Sequence, residues 1–261
     1  LLPSTPDAHV IFIPQRSLFF VPFPALRGAN GQYLIERHTI RMAPSNQVLA
    51  LTRQQRQKLG TQSLMTKGTN ALIVGNPTPL PAGWKTLPHA EQEAITIAKQ
   101  FGIEPILGSQ AVKPLIKQKM PEARLIHIAA HGQFDDQRGL GSLLVFAGGD
   151  PDQSFLTADE LLDMKLQAEL VVLSACQSGL GKLTGDGVIG LSRSLISAGT
   201  PSVLVSLWSV PDDSTNLLMT EFYQQLQKTP DKAQALRQAM LMMKDQNPIE
   251  WAAFTLIGEA E

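Results

Sequence analysis

The sequence predicts an α/β fold in which helices cover both faces of a mainly parallel sheet, as a single domain over residues 1–261. Two short apolar runs, residues 125–132 and 170–179, are rich in β-branched residues and close on small residues and glycine, which is typical of buried parallel strands. From residue 70 onward, such runs alternate with stretches of helical periodicity. This alternation favours βαβ units.

Residues 1–68 are expected to form a hairpin-rich subregion beside that core. The apolar runs 9–14 and 18–23 flank three polar residues, which predicts two antiparallel strands with prolines at their edges or ends. Residues 33–42 are predicted to be a further strand. Ser45 has a side chain suited to cap the helix that follows.

The elements of the core, residues 69–261, follow from the same signals. Apolar residues recur at helical spacing in Ala94, Ile97, Ala98 and Phe101. Ser109 and Thr157 are each expected to begin a helix. Further strands are predicted at residues 71–75, 103–107, 142–146, 202–208 and 251–258, and further helices at 188–198, 211–226 and 231–245.

Composition argues against several classes of partner. The chain has 22 basic and 23 acidic residues, so its bulk charge favours neither nucleic acid nor an anionic membrane. Its most apolar stretch, residues 10–26, contains an arginine and three prolines, which disfavours a membrane span. No signal-peptide pattern is present, and we expect a cytoplasmic protein. The opening L-L-P-S-T-P-D is typical of a cut within a longer chain, so upstream domains are expected.

Cys176 is the only cysteine of the chain, which excludes an internal disulfide framework and a cysteine-rich zinc site. A lone cysteine is usually a small buried residue, but this one follows a strand in a turn of small residues. His131 with Gly132 ends the other strand in the same way. Because carboxyl ends of parallel strands share one edge of a sheet, thiol and imidazole are expected to meet there as nucleophile and base. His127, within the strand, is expected to be a core residue.

Two features of the second half have competing interpretations. Residues 185–190 fit G-x-G-x-x-G, but a dinucleotide site needs this pattern directly after a strand, with an acidic residue about twenty positions later. Nucleotide binding is therefore disfavoured, and neither a cofactor nor a metal site is expected. The stretch 208–214 either ends a strand and caps a helix or forms a wall of a substrate cleft.

Several sequence blocks occur in a characteristic order: H-I-A-A-H-G, V-L-S-A-C-Q-S-G-L-G, G-D-G-V-I-G-L-S-R-S-L-I-S-A-G, V-L-V-S-L-W-S-V-P-D and W-A-A-F-T-L-I-G. With L-F-F-V-P-F-P-A-L and Y-L-I-E-R-H-T-I near the start, they resemble a CHAT domain over essentially the whole chain. This caspase-like module often lies C-terminal to tetratricopeptide repeats in bacteria, especially cyanobacteria. His131 precedes Cys176 by 45 positions, near the spacing of about fifty between the caspase pair.

The resemblance implies a caspase-like fold and a cysteine endopeptidase that acts on protein or peptide substrates through a Cys–His dyad. It implies that Cys176 is the nucleophile and that His131 is the general acid and base. The backbone amides of Gly132 and Cys176 would form the oxyanion hole. Upstream tetratricopeptide-type or other regulatory domains would gate the activity.

Substrate-binding residues are less sharply indicated. The candidates are Ser174, Asp135, Asp186, Ser206, Trp208 and Asp212. Relatives of the metacaspase type carry an acidic residue two positions before the cysteine, where this chain has Ser174, and no arginine matches the one in the caspase pocket. We therefore predict no preference for the P1 residue, the residue on the amino side of the cleaved bond.

Two alternatives come from other functional classes. A caspase-like scaffold would bind partners without turnover, although such a scaffold has no need of an intact His131 and Cys176 pair. A cysteine amidohydrolase or acyltransferase would use the same two groups on a small amide.

Overall fold

The structure is a computed structural model, and it describes residues 2–60, 63–66, 68–133, 141–174 and 185–261. The strands are β1 His9–Phe12, β2 Thr39–Met42, β3 Ala71–Pro77, β4 Ile106–Gly108, β5 Leu125–Ala129, β6 His131–Gln133, β7 Leu143–Val145, β8 Phe155–Thr157, β9 Leu170–Leu173, β10 Ser202–Ser206 and β11 Phe254–Gly258. The helices are α1 Leu34–Arg37, α2 Asn46–Lys58, α3 Pro88–Phe101, α4 Lys113–Lys119, α5 Pro151–Ser154, α6 Ala158–Leu162, α7 Gly185–Ser197, α8 Asp212–Leu226, α9 Lys232–Met242 and α10 Pro248–Trp251.

Across the described residues, eight strands form a central sheet in the order β1-β2-β11-β10-β9-β5-β3-β4. The five strands from β10 to β4 run parallel to one another, and β11 joins them antiparallel to β10. Strands β6, β7 and β8 form a smaller antiparallel sheet. The prediction of a mainly parallel sheet is confirmed.

Both faces of the central sheet are buried. One core cluster contains side chains from α4, α6 and α7, and the other contains side chains from α3, α8 and α9. Central strands covered on both faces carry continuous apolar runs, which is why β9 is apolar along its length and β5 has a single polar residue, His127. The predicted apolar face of α3 is part of the second cluster.

Two of the predicted helix starts are confirmed at the level of hydrogen bonds. The hydroxyl of Ser45 accepts a hydrogen bond from the backbone N–H of Val48 (3.1 Å) at the start of α2. The hydroxyl of Thr157 accepts from the backbone of Glu160 (3.2 Å), and Glu160 in turn accepts from the backbone of Thr157 (3.1 Å). These side chains satisfy backbone donors that have no partner within the helix.

The prediction of an N-terminal hairpin is wrong. Residues 9–14 supply β1, but this strand pairs in parallel with β2, and residues 18–23 fold into 3₁₀ turns instead of a strand. Pro22 lacks the N–H group that a strand ladder would need. Phe23 instead stacks on Phe12, with ring centroids 3.9 Å apart, so packing of the aromatic run decides its conformation.

Two helices begin where the sequence does not place them. It predicts one strand over residues 33–42, but Glu36 accepts a hydrogen bond from the backbone of Tyr33 (2.7 Å), and the short helix α1 precedes β2. It predicts Ser109 as the cap of α4, but the residue before that helix is Val112, and a proline occupies the first turn. Proline favours the first turn because its fixed φ suits a helix start.

Helix α3 approaches the sheet closely at Gly75 of β3. A Cβ atom at this position would lie 2.5 Å from the Cβ of Ala94 and 2.6 Å from the carbonyl oxygen of Ala90. Only glycine leaves room for a helix backbone at this distance. The contact sets where α3 and the segment before it lie relative to the carboxyl edge of the sheet.

A chain of buried polar side chains joins α3, β5 and α8. The Nε2 of His127 lies 2.8 Å from Oε1 of Glu93, and its Nδ1 lies 3.2 Å from the hydroxyl of Tyr223. All three residues are completely buried. Burial, followed by the nearby Glu93 carboxylate, raises the pKa of Tyr223 well above its ordinary value, so the hydroxyl keeps its proton. Buried polar groups paired in this way fix one arrangement of the surrounding elements.

Replacing Gly75 with alanine should lower the free energy of unfolding by about 1–3 kcal/mol, because the added methyl group overlaps α3. Gly149→Ala is the matched control, since Gly149 is exposed and a Cβ there meets no atom within 4 Å; it should change stability by less than about 0.5 kcal/mol. Urea unfolding of both variants measures the difference. Equal midpoints would contradict the close approach.

The two tyrosines of the chain allow a second comparison. Tyr223→Phe should cost about 1–3 kcal/mol, because it leaves the buried Nδ1 of His127 without its partner. Tyr33→Phe removes a hydroxyl that accepts from Arg27 at the surface (2.6 Å), and should cost less than about 1 kcal/mol. Urea unfolding checks the order, and a larger effect at Tyr33 would contradict the role assigned to the buried chain.

Candidate active site

His131 lies just beyond the carboxyl end of β5, at the edge where the parallel strands of the central sheet end. The sequence predicts that it closes that strand. The structure corrects this, because β5 ends at Ala129 and His131 begins β6, which pairs antiparallel with β7. The chain bends at Ala130 to leave the central sheet for the smaller one. His131 is only 5% exposed.

One nitrogen of the His131 ring is fixed by the backbone. Its Nε2 lies 2.6 Å from the carbonyl oxygen of Lys85. A carbonyl oxygen only accepts, so Nε2 carries a proton and donates it, and in the neutral ring Nδ1 keeps its lone pair. Among the described residues, the buried Nδ1 has no hydrogen-bond partner. The ring therefore offers one unpaired basic nitrogen.

The surroundings of His131 favour the neutral ring. The ring of Trp84 lies 5.0 Å from that of His131, and Phe155 of β8 lies on Trp84 with centroids 6.5 Å apart. Burial lowers the pKa of His131 below its ordinary value, and the Lys85 carbonyl and the charge of Asp212 oppose that shift without cancelling it. A buried imidazole of this kind acts as a base at neutral pH.

The backbone that holds His131 is itself anchored from two sides. The side-chain oxygen of Asn76, at the end of β3, accepts from the backbone N–H of Leu87 (2.9 Å), and its nitrogen donates to Glu91 of α3 (3.0 Å). Asn76 has φ = 44°, a left-handed conformation that asparagine tolerates better than most residues. Asp212, the first residue of α8, accepts from the backbone N–H of His89 (2.9 Å).

Sequence reasoning did not find this support. Trp84, Lys85 and Asn76 were not among the predicted site residues. Lys85 acts through its carbonyl oxygen, which every residue type carries, so its identity gives no signal. Asn76 did have such a signal, since it directly follows the strand predicted at residues 71–75 and begins a proline-rich stretch, a position from which an asparagine side chain bonds nearby backbone.

Two of the predicted residues, Cys176 and Asp135, lie outside the residues that the structure describes, and so does the side chain of Asp186. The pairing of β5 with β9 nevertheless bears on Cys176. Ile128 of β5 is the partner of Leu173 in β9. His131 follows Ile128 by three positions, and Cys176 follows Leu173 by three positions.

The other predicted residues lie along the same sheet edge or beside it. Ser174 follows β9 directly and is 4% exposed, and its hydroxyl has no partner among the described residues. Ser206 is the last residue of β10, and the half-buried Trp208 after it donates from Nε1 to the carbonyl of Ile249 (2.8 Å). Gly132 lies in β6, the edge strand of the smaller sheet, opposite Leu144.

The glycine-rich pattern at residues 185–190 lies at the start of α7, whereas a dinucleotide fingerprint belongs to the turn between a strand and a helix. In the described part of the chain, no three His, Cys, Asp or Glu side chains come together in a group that would hold a metal ion. No helix within the described ranges has both the length and the apolar character needed to cross a membrane.

Two mammalian proteins are similar to nearly the whole of this chain. The tetratricopeptide repeat protein 28 of Mus musculus is 29% identical, and that of Homo sapiens 28%; the match covers 96% of this chain and 12% of each relative. The chain thus corresponds to about an eighth of these relatives' length.

Solved structures share the fold at low sequence identity. The separase–securin complex of Saccharomyces cerevisiae has a TM-score of 0.62 at 16% identity, covering 92% of this chain and 15% of that one. The Arg-specific cysteine proteinase gingipain R has a TM-score of 0.55 at 13% identity, covering 87% and 55%. Both are caspase-like folds. The family model of the CHAT domain matches residues 2–259, and the chain therefore belongs to the CHAT-domain family.

Proposed function

We propose that this domain is a cysteine endopeptidase in which Cys176 is the nucleophile and His131 the general acid and base. The observation that carries the proposal is the state of the His131 ring. Its Nε2 is held by the Lys85 carbonyl, while its buried Nδ1 has no partner among the described residues. Such an arrangement leaves one nitrogen ready to take a proton at the sheet edge that β9 shares.

The proposed reaction uses Nδ1 of His131 in both of its halves, the formation of a thioester and its hydrolysis. Nδ1 of His131 takes the proton of the Cys176 thiol, and the thiolate sulfur attacks the peptide carbonyl carbon. The negative charge that develops on the carbonyl oxygen is stabilised by the backbone amides of Gly132 and Cys176. The imidazolium then gives its proton to the leaving amine as the C–N bond breaks, which leaves a thioester. Attack of water, deprotonated by the same nitrogen, releases the acid and restores the thiol.

A protein or peptide chain is the proposed substrate. Ser174 follows β9 directly and Ser206 ends the neighbouring strand β10, and with Trp208 they are the proposed lining of the substrate cleft. Asp135, Asp186 and Asp212 remain the acidic candidates for contacts with substrate. Since the relatives are tetratricopeptide repeat proteins, upstream repeats are the proposed regulatory domain. The reducing cytoplasm, which preserves a single reactive thiol, is the proposed location.

Peptide cleavage by the full-length protein tests the proposal. Cys176→Ala should abolish cleavage of a diverse peptide library, and His131→Ala should lower it by about 10²–10⁴-fold, the usual contribution of general acid–base catalysis. His89→Ala is the matched control, because the His89 side chain is exposed and its backbone N–H is retained; it should leave the rate unchanged.

Labelling with an electrophilic peptide separates the remaining outcomes. Selective modification of Cys176 that slows in His131→Ala would indicate an activated thiol. A chain that cleaves no peptide, and whose labelling does not depend on His131, would be a scaffold. Turnover of small amides without cleavage of peptides would instead indicate an amidohydrolase.

The pKa of His131 should lie below its ordinary value of about 6.5, because burial disfavours the charged ring. The neutral base then persists below pH 6.5, and cleavage should fall only as the pH drops through the lowered pKa. Trp84→Ala should raise this pKa toward 6.5 by admitting water, whereas Trp208→Ala should not. Histidine NMR titration measures the midpoint, and a value above 6.5 in the unmodified chain would contradict the argument.

A further inference from the structure

We propose that Asp212 is a positioning residue for His131, because it anchors the backbone segment that holds the imidazole and places a negative charge where the imidazolium forms. This inference rests on the proposed function. We refer to residues 84–89 as the holding segment, since Lys85 within it accepts the hydrogen bond from Nε2 of His131.

Asp212 makes a hydrogen bond to a residue outside its own helix. An acidic residue in the first turn of a helix is usually explained by that helix alone, through capping or the helix dipole. The N-cap position of α8 is occupied by Pro211, which makes no side-chain capping bond. The Oδ2 of Asp212 accepts from the backbone N–H of His89 (2.9 Å), in the first turn of α3. The bond ties the start of α8 to the holding segment.

Two hydrogen bonds from other elements restrain the backbone of the holding segment. Leu87 is bonded to Asn76 of the sheet (2.9 Å) and His89 to Asp212 of α8 (2.9 Å). These residues follow Lys85 by two and four positions, so two different elements restrain the backbone that carries its carbonyl. Loss of either anchor would loosen the acceptor of the His131 hydrogen bond.

The charge of Asp212 also acts on the imidazole of His131. Among the described residues, Asp212 is the ionisable group whose charge acts on His131, and it favours the protonated ring. Burial opposes it and dominates, so the resting imidazole stays neutral. During turnover the same ring carries a proton between thiol and leaving group. A nearby carboxylate favours that state, because opposite charges stabilise the charged form.

The neighbouring residue supplies the comparison. Asp213 is exposed, and its carboxylate accepts from the backbone N–H of Ser214 (2.8 Å) within its own helix. It has the same charge and nearly the same place on the α8 dipole as Asp212. Replacing Asp213 removes an acidic side chain from the start of α8, as replacing Asp212 does, but leaves the hydrogen bond between Asp212 and α3 in place.

The experiment compares Asp212→Asn and Asp212→Ala with Asp213→Asn and Asp213→Ala in the full-length protein. One readout is the rate at which iodoacetamide alkylates Cys176, because this small neutral reagent fills no side-chain pocket. The other is the pKa of His131 from NMR. Urea midpoints confirm that each variant is folded, and Asp212→Asn keeps both the size of the side chain and an oxygen for His89.

Asp212→Ala should slow alkylation by about tenfold to hundredfold, the scale of a misplaced catalytic group. Asp212→Asn should slow it less, because the hydrogen bond to His89 can persist, but should still lower the pKa of His131 by removing the charge. On peptides, both should lower kcat more than they raise KM. The Asp213 variants should stay within about twofold of the parent in every readout.

Other results would overturn the inference. If the Asp212 variants raise KM only for peptides with a basic residue beside the cleaved bond and leave alkylation unchanged, Asp212 binds substrate instead. If the Asp213 variants lose as much, the effect belongs to the helix end. If His131→Ala itself leaves alkylation unchanged, the proposed function fails. The NMR titration then decides the inference separately, because an unchanged pKa of His131 in Asp212→Asn refutes it.

Discussion

The hydrogen bond from Nε2 of His131 to the carbonyl oxygen of Lys85 is the interaction on which the candidate site depends. A free imidazole exchanges its proton between two nitrogens. This one is fixed, because a carbonyl oxygen at 2.6 Å accepts only from a protonated Nε2. The bond thereby decides which nitrogen is basic and the direction in which it points. Every contact that places Lys85 therefore helps to orient the ring of His131, a residue 46 positions away.

The fold places Lys85 by packing α3 and α8 against each other on one face of the central sheet. Gly75 lets α3 lie close to β3. Asn76 accepts a hydrogen bond from the backbone just before α3, and Asp212 accepts one from the backbone of its first turn. The buried Glu93 of α3 lies against His127 of β5. The two histidines of the β5 region thus both contact the α3 side of the sheet. His127 contacts the body of the helix and His131 the segment before it, so β5 and the residues directly after it support both the core and the candidate site.

The limits of prediction follow from the kind of information each feature carries. Apolar runs and helical spacing depend on side-chain type, which the sequence gives directly. The strands β5 and β9 and the buried face of α3 were therefore predictable, and His131 was recognisable as a polar residue after a strand. The Lys85 acceptor is a backbone atom, and Asp212 finds its partner 123 positions away, so neither local pattern nor residue type reveals them. The prediction of a strand at residues 18–23 failed for a similar reason, because tertiary packing decides the conformation of this aromatic run.

Among the described residues, the Nδ1 atom of His131 is the feature that bears on the choice between the proposed enzyme and a scaffold. Separase and gingipain share the architecture at 16% identity or less, which shows the fold alone. A buried polar atom that lacks a hydrogen-bond partner costs about 1–3 kcal/mol, and the Nδ1 atom of His131 has none among the described residues. An unpaired buried polar atom in a native structure calls for an explanation, and a proton acceptor kept for a thiol supplies one. The Nδ1 atom of His131, more than the fold, is therefore the feature on which the proposed peptidase activity rests.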